Sequence, residues 1–506
     1  MPSKMLMVQG TSSSAGKSLI TAALCRIFTR RGMRVAPYKA QNMSNNAGVC
    51  PDGSEIGRAQ YVQAIACGIE PTADMNPLLL KPEADAQSQV VVLGKPWRSL
   101  PARAYYQHKQ ELWQVVTAAL DRLRASYDLV IMEGAGSPVE LNLKAGDIVN
   151  MAIARYAASP VLLIGDIDRG GIFAQLLGTL WLLPDDERAL VRGLIVNKFR
   201  GDPTLFTDGV RMIEEKGGVP VLGAIPYIHD VGVSEEDAVA LDTPQAAGGA
   251  LQIDIAVIHL PHIANFDDFD PLASESGVRV RYVSALAELG NPQAIILPGT
   301  KSTVSDLNWL RASGLAQAIA GRARQGAAIV GICGGYQMLG RTIRDPQHVE
   351  SPTGETPGLG LLAVDTVFAA DKATHQASGR VSGGPGWLAT CTGQIVQGYE
   401  IHMGRTEGVA PWLTLTERSH QQVSVLDGSA SPDGRTWGCY LHGIFENQGF
   451  RRSWLVSLGW RGSEAAGRAC PDSSGTVNSL QENLDRLADV VERSLDMAKL
   501  ESVWQS

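Results

Sequence analysis

Six short apolar runs in the first half of the chain leave few folds open to it: MLMVQ (5–9), RVAPYK (34–39), DLVIME (128–133), PVLLIGDI (160–167), GLIVNKF (193–199) and VLGAIPY (221–227). They are rich in Val, Ile and Leu and lack polar alternation, the pattern of strands buried on both faces of a parallel sheet. Parallel strands need crossover connections, and helical stretches lie between these runs. KSLITAALCRIFTRRG has apolar residues at Leu19, Ile20, Ala23, Leu24 and Ile27 and closes on basic residues and Gly32, a helix stop. The expected fold is α/β, with a doubly wound parallel sheet in the N-terminal half.

The small, nearly uncharged stretch DTPQAAGGALQ (242–252) then reads as a linker. Alternation restarts with IDIAVIHL (253–260), VRVRYV (278–283), AIILPGT (294–300) and AAIVGIC (327–333), which predicts a second α/β domain. The tail NSLQENLDRLADVVERSLDMAKL (478–500) has helical spacing at Leu484, Leu487, Val490, Val491 and Leu495. It is expected to pack on the second domain. The expected boundaries are a first domain at 1–242, a linker at 243–252, a second domain at 253–450 and a largely helical extension at 451–506.

The first chemical signal sits between the first strand and the first helix. GTSSSAGKS (10–18) is a phosphate-binding loop with one residue more than usual between Gly10 and Gly16: Thr11, Ser12, Ser13, Ser14 and Ala15. Loop N–H groups and the helix N-terminus face an anion there. Lys17 is placed to reach the β- and γ-phosphates and Ser18 to ligate Mg²⁺. Mg²⁺ requires further oxygens, and open α/β sheets place ligands at strand ends. Glu133 is the candidate metal ligand, with Asp166 and Asp168 as candidates for metal or phosphate work. Asn197 and Lys198 also end a strand, where they could contact the base. Tyr38, Lys39, Gln41 and Asn42 follow the second strand toward the same sheet end.

The second signal is Cys333, in Gly331-Ile332-Cys333-Gly334-Gly335. Small residues between a buried strand and a helix permit the sharp turn of a nucleophile elbow. The helix N-terminus lowers a thiol pKa and offers oxyanion donors, here at Gly334, with Gly299 of LPGTKS as the second. A thiol nucleophile needs a base, and His442 in GCYLHGIF (438–445) is the candidate, with His402 in GYEIHMGR (398–405) as a second site histidine.

Composition adds limits. A net charge of -8 gives no basic footprint for nucleic acid, and no apolar run is long enough to span a membrane. Cys25, Cys50, Cys67, Cys333, Cys391, Cys439 and Cys470 form no C-x-x-C pair, which argues against a zinc site and fits a reducing cytoplasm.

The G-T-x(4)-G-K-[ST] loop resembles that of dethiobiotin synthetase and its relatives, ATP enzymes that phosphorylate a carboxylate-like oxygen. The cysteine elbow with its downstream histidine resembles the class I glutamine amidotransferase domain, which releases ammonia from glutamine through a thioester. That domain carries a glutamate two residues after the histidine. Here the position is Ile444, so the orienting acid is missing or supplied elsewhere, which points to the branch that works with a Cys–His pair. Together the resemblances imply phosphorylation of a substrate carboxylate and displacement of phosphate by sheltered ammonia.

APYKAQNMSNNAG (36–48), MEGAGSPVELNL (132–143), GDIDRGGIFA (165–174), NKFRGD (197–202), NFDDFDPL (265–272), LPGTKST (297–303), GICGGYQMLG (331–340), GYEIHMGRT (398–406) and YLHGIF (440–445) resemble, in order, the cobyric acid synthase family. The resemblance covers nearly the whole chain. It implies ATP, Mg²⁺ and glutamine, and a corrinoid substrate amidated at its b, d, e and g carboxylates. Two positions depart from the family: Ser14 stands where Asp or Asn is frequent, and His262 where arginine is usual. The alternatives are the sibling a,c-diamide synthase, whose Gly-Pro-Asp-Tyr-type block is not found here, and a partitioning-type P-loop switch ATPase without glutaminase activity.

Overall fold

The computed structural model describes residues 3–84, 87–228, 251–408, 411–462 and 475–504. The linker expected at 243–252 lies outside them except for its last two residues. By contacts the chain forms two units: 1–44, 55–237 and 479–506 make the first, and 45–54 with 238–478 the second.

In the first unit the six apolar runs become β1 (Lys4–Gly10), β2 (Val35–Tyr38), β3 (Leu129–Glu133), β4 (Val161–Asp166), β5 (Val191–Phe199) and β6 (Val221–Pro226). They form one parallel sheet in the order β6-β5-β4-β1-β3-β2. The chain reverses direction across the sheet at β1, so the loop after β1 sits at the switch point where such sheets hold ligands. Helix α1 (Lys17–Arg30) leaves that loop and buries Ile20, Ala23, Leu24, Ile27 and Phe28. Helices α2 (Arg58–Ala66), α3 (Lys109–Ser126), α4 (Met151–Tyr156) and α5 (Ile172–Leu182) complete the layers used below. A small mixed sheet of Gln41–Met43, Leu78–Ala84, Gln87–Val92 and Lys95–Pro101 interrupts the alternation.

The second unit builds its parallel sheet from β7 (Ile253–Ile258), β8 (Val278–Val283), β9 (Ala294–Leu297) and β10 (Ala328–Ile332). Two long strands, β11 (Val364–Val381) and β12 (Ile395–Gly408), pair antiparallel in a separate sheet. Strands β13 (Ser429–Ala430) and β14 (Thr436–Cys439) then return to the parallel one, giving the order β8-β7-β9-β10-β14-β13. Helix α6 (Thr303–Ala312) follows β9, and α7 (Gly334–Leu339) follows β10.

The tail corrects an expectation. From Ser479 on, helix α8 (Gly475–Ser494) and the short α9 (Met497–Ser502) belong to the first unit. Leu484, Leu487, Ala488, Val491 and Leu495 share a core with Leu24, Ile27 and Phe28 of α1. Apolar spacing shows that a helix has a buried face and is silent about which surface covers it. The recognition lies in charges: Arg26 forks onto Asp485 at 2.8 and 2.9 Å, Arg30 meets Asp489 at 2.7 Å, and Arg31 meets Glu492 and Glu501. Gly223 on β6 permits the docking, since a Cβ there would lie 2.0 Å from the Ser494 carbonyl oxygen.

Candidate functional site

In the first unit a cavity of about 450 Å³ opens at the C-terminal end of β1. Ser13, Ser14, Gly16, Lys17 and Ser18 of the loop line one side, and Lys39, Gln41, Asn42, Lys109, Lys144 and Lys198 line others. Five lysines line it with Glu140 and Asp147, and Lys39, Lys144 and Lys198 also pair with Glu133, Glu187 and Asp166, an arrangement suited to anionic groups. The loop is braced from β5: Asn197 Nδ2 donates to the Ala15 carbonyl at 2.8 Å, and Lys198 Nζ to the Ser14 carbonyl at 2.9 Å. Gly10, Thr11 and Ser12 complete the loop; Thr11 Oγ1 donates to Gln175 Oε1 at 3.1 Å. Lys17 Nζ donates to the carbonyls of Ser12 (2.8 Å), Ser13 (3.0 Å) and Gly136 (3.3 Å).

Glu133 is the hub beneath the cavity. Its Oε1 accepts from Ser18 Oγ at 2.8 Å and Lys39 Nζ at 3.0 Å, and its Oε2 from Gln63 Nε2 at 2.6 Å. Burial alone would push its carboxyl up, but Lys39 and the Gln63 amide outweigh that and hold it below the usual range. A charged carboxylate and a serine hydroxyl thus converge beside the loop. This hard-oxygen pair suits Mg²⁺, which takes one or two protein oxygens and completes its shell with phosphate and water. No group of three or more His, Cys, Asp or Glu able to hold a metal occurs among the described residues.

Not every expected residue reaches the cavity. Tyr38 is fully buried, its hydroxyl donating to the Val116 carbonyl at 2.9 Å under α3. Asp166 is buried beside Lys198 Nζ at 3.4 Å, and Asp168 pairs with Arg200 at 2.6 Å; neither lines the cavity. Asn197 braces the loop through Ala15 and likewise does not line it. Gln41 does, with its Oε1 accepting from Tyr105 at 2.6 Å, and Asn42 does, donating to Gln60 at 3.0 Å. The sequence offered no signal for Gln60 and Gln63 beyond helical spacing, nor for Lys109 and Lys144, which sit outside any motif.

In the second unit Cys333 sits at φ 52°, ψ -110°, a strained turn for a residue with a side chain. Close packing of the elbow demands its glycines: a Cβ on Gly335 would fall 1.9 Å from the Leu297 carbonyl oxygen. Cys333 lies near enough to His442 to help raise its pKa, and its Sγ lies 3.4 Å from the Ile401 carbonyl oxygen. Gly334 opens α7 against Thr300, and Gly299 lies against the His442 ring, where a Cβ would come within 2.8 Å of Cε1. The four residues expected at this centre therefore come together.

His442 Nδ1 lies 2.6 Å from Asp268 Oδ2, and the Gly443 N–H donates to Asp268 Oδ1 at 2.8 Å. Burial would lower the His442 pKa, but Asp268 and Cys333 outweigh it and raise the group to about 10. The sequence reading passed over Asp268; only the acidic run NFDDFD marked it. Ile444 is buried in the core of the unit, as is Phe445. His402 stacks on Tyr440 with ring centroids 3.8 Å apart, its Nε2 is 3.2 Å from Glu400, and Arg418 holds that carboxylate at 2.6 and 2.7 Å. His262 Nδ1 meets Asp306 at 2.7 Å.

Residues 6–239 match the CobQ/CobB/MinD/ParA nucleotide binding domain, and residues 254–450 match the CobB/CobQ-like glutamine amidotransferase domain. Along its whole length the chain is 55% identical to the cobyric acid synthase of Chloroflexus aggregans, covering 99% of that protein. It is 56% identical to that of Roseiflexus castenholzii over 92% of this chain and 94% of the relative, and 49% identical to that of Moorella thermoacetica over 99% and 97%. The elbow, the extended phosphate loop and these full-length matches lead to one conclusion: the chain belongs to the cobyric acid synthase family.

Proposed function

We propose that this chain is an ATP-dependent, glutamine-hydrolysing amide ligase that amidates the b, d, e and g carboxylates of adenosylcobyrinic acid a,c-diamide. The observation that carries the reading is Cys333, held at a positive φ on the strand-to-helix elbow and helping to raise the pKa of His442, in a chain that also has a charged Glu133 beside Ser18 under a lysine-lined cavity.

In the second unit the Cys333 thiol gives its proton to His442, and the Sγ thiolate attacks the glutamine carboxamide carbon. The tetrahedral oxyanion is received by N–H groups at Gly334 and Gly299. As the C–N bond breaks, His442 gives its proton to the leaving nitrogen, and ammonia departs from a γ-glutamyl thioester. His442 then takes a proton from water as the oxygen attacks the thioester, and glutamate leaves with Cys333 restored. In the first unit Lys17 and the loop N–H groups hold the ATP phosphates while Lys39 faces the transferred group. Ser18 and Glu133 would hold Mg²⁺, which supplies charge neutralisation on the phosphates. A substrate carboxylate oxygen takes the γ-phosphoryl group, ADP leaves, and ammonia displaces phosphate from the acyl carbon to give the amide. Gln41 and Asn42, with Lys109 and Lys144, form the wall that meets the anionic substrate.

The test is Cys333→Ala in the full chain. Glutamine-dependent amidation falls to background while ammonium salts still support amidation with ATP. Equal glutamine-dependent rates in variant and parent would sink the reading. Turnover of cobyrinic acid but not of its a,c-diamide would transfer the chain to the sibling activity.

A further inference from the structure

With Cys333 and His442 read as nucleophile and base, we propose that Asp268 is the positioning acid of the glutaminase centre, supplied from the turn after β7 and not from the position two residues beyond the histidine. Two observations and one point of imidazole chemistry carry this. Asp268 uses both oxygens on one target: Oδ2 meets the ring at Nδ1 and Oδ1 accepts the Gly443 N–H, so ring and backbone are fixed together. An Nδ1–H directed at a carboxylate leaves Nε2 for the sulfur, the division of labour a thiol–imidazole pair needs. The contact is dry, with side-chain exposures of 2% and 3%, so water screens it little.

The turn is built to hold the acid still. Asn265 adopts φ 52°, its Oδ1 accepts from the Ala47 N–H at 2.9 Å, and its Nδ2 is 3.4 Å from His442 Nε2. Tyr282 donates to the Phe266 carbonyl at 3.0 Å. On the other face the Tyr399 ring stacks on His442 with centroids 5.2 Å apart. The ring is thus faced by Asp268 from the turn, Cys333 from the elbow and Tyr399 from β12. The usual position for the acid is closed: Ile444 is 1% exposed within an apolar core, where a carboxylate would be buried without a partner. Asp268 acts through His442 and touches no substrate atom.

The experiment compares Asp268→Asn, Asp268→Glu and Cys333→Ala in the full chain, measuring glutamate release from glutamine and amidation from ammonium salts. Asp268→Asn is expected to lower glutamine kcat on the order of 10²–10⁴-fold, with amidation from ammonia retained and partial recovery in Asp268→Glu. The alkaline limb of kcat/KM moves to lower pH in Asp268→Asn, because the charge that outweighs burial at His442 is gone. A glutamine kcat within about twofold of the parent overturns the proposal, as does a lower kcat with the limb unmoved, which is the behaviour of a packing defect. If Cys333→Ala still uses glutamine, it is the reading of the centre that fails. A measurement on the parent needs no Asp268 variant: NMR of labelled histidine, with the His442 signal identified by its loss in His442→Gln. His442 is expected to stay protonated well above pH 8, with a midpoint near 10; a midpoint at or below the ordinary histidine value of about 6.5 overturns the assignment.

Discussion

On the proposed reading Lys17 and Cys333 each answer for one half of the chemistry, which makes their variants opposites. Lys17 already binds the carbonyls of Ser12 and Ser13 in the loop and of Gly136 after β3 at 2.8–3.3 Å, so the proposed phosphate contact starts from a fixed ammonium. Lys17→Ala is expected to slow amidation on the order of 10²-fold or more whether nitrogen comes from glutamine or ammonia. Glutamate release without the corrinoid is expected to hold at the parental rate. ADP formation with ammonium as nitrogen donor reads the first effect, and a rate near the parent's would remove Lys17 from the phosphate site. Single residues were legible where the backbone demands a type. Gly335, against the Leu297 carbonyl, and Cys333, at its positive φ, announce themselves in the spelling GICGG. Asp268 did not, because it meets His442 across 174 residues and nothing local requires it.

Elements buried on both faces were read nearly to the residue: 253–258 is β7, within the expected 253–260, and 129–133 closes on Glu133 as expected. The paired β11 and β12 escaped because their exposure alternates irregularly and polar residues run through them. Such strands are stabilised by cross-strand neighbours that a linear pattern does not show. The tail helix was legible as a helix and misplaced as to partner. Its apolar face makes a strong claim on stability, since burying each Leu or Val contributes about 1.5–3 kcal/mol, whereas each exposed Arg–carboxylate pair adds at most about 1 kcal/mol. Leu487, 1% exposed against the α1 core, is the sharpest probe. Leu487→Ala is expected to cost about 2–5 kcal/mol and to speed amide exchange in α1 above all. Exchange unchanged in α1 would show that the helix contributes little there.

Across the whole molecule, boundaries drawn along the chain cannot describe what the contacts describe. The first unit takes residues 1–44, 55–237 and 479–506, and the second takes 45–54 out of the first unit's span. The motif spelled QNMSNN is divided by this exchange: Gln41 and Asn42 line the cavity, while Asn46 and Ala47 hydrogen-bond the turn that carries Asp268. A fragment ending at residue 242 lacks both the helix that covers Leu24, Ile27 and Phe28 and the turn that satisfies Ala47. It is expected to bind a hydrophobic dye and to aggregate, where the full chain does neither. A monomeric, dye-silent fragment would show that α1 needs no cover.

The docking of α8 on α1 also sets an order in time. Synthesis runs from the N-terminus, and domains generally fold as they emerge. Residues 24–28 leave the ribosome before the second unit, yet the residues that help bury them, 484–503, are made after it. The first unit therefore waits for the entire second unit to be translated before its outer apolar face is closed. Until then the nucleotide loop at the head of α1 leads into a helix whose tail-facing side chains are uncovered.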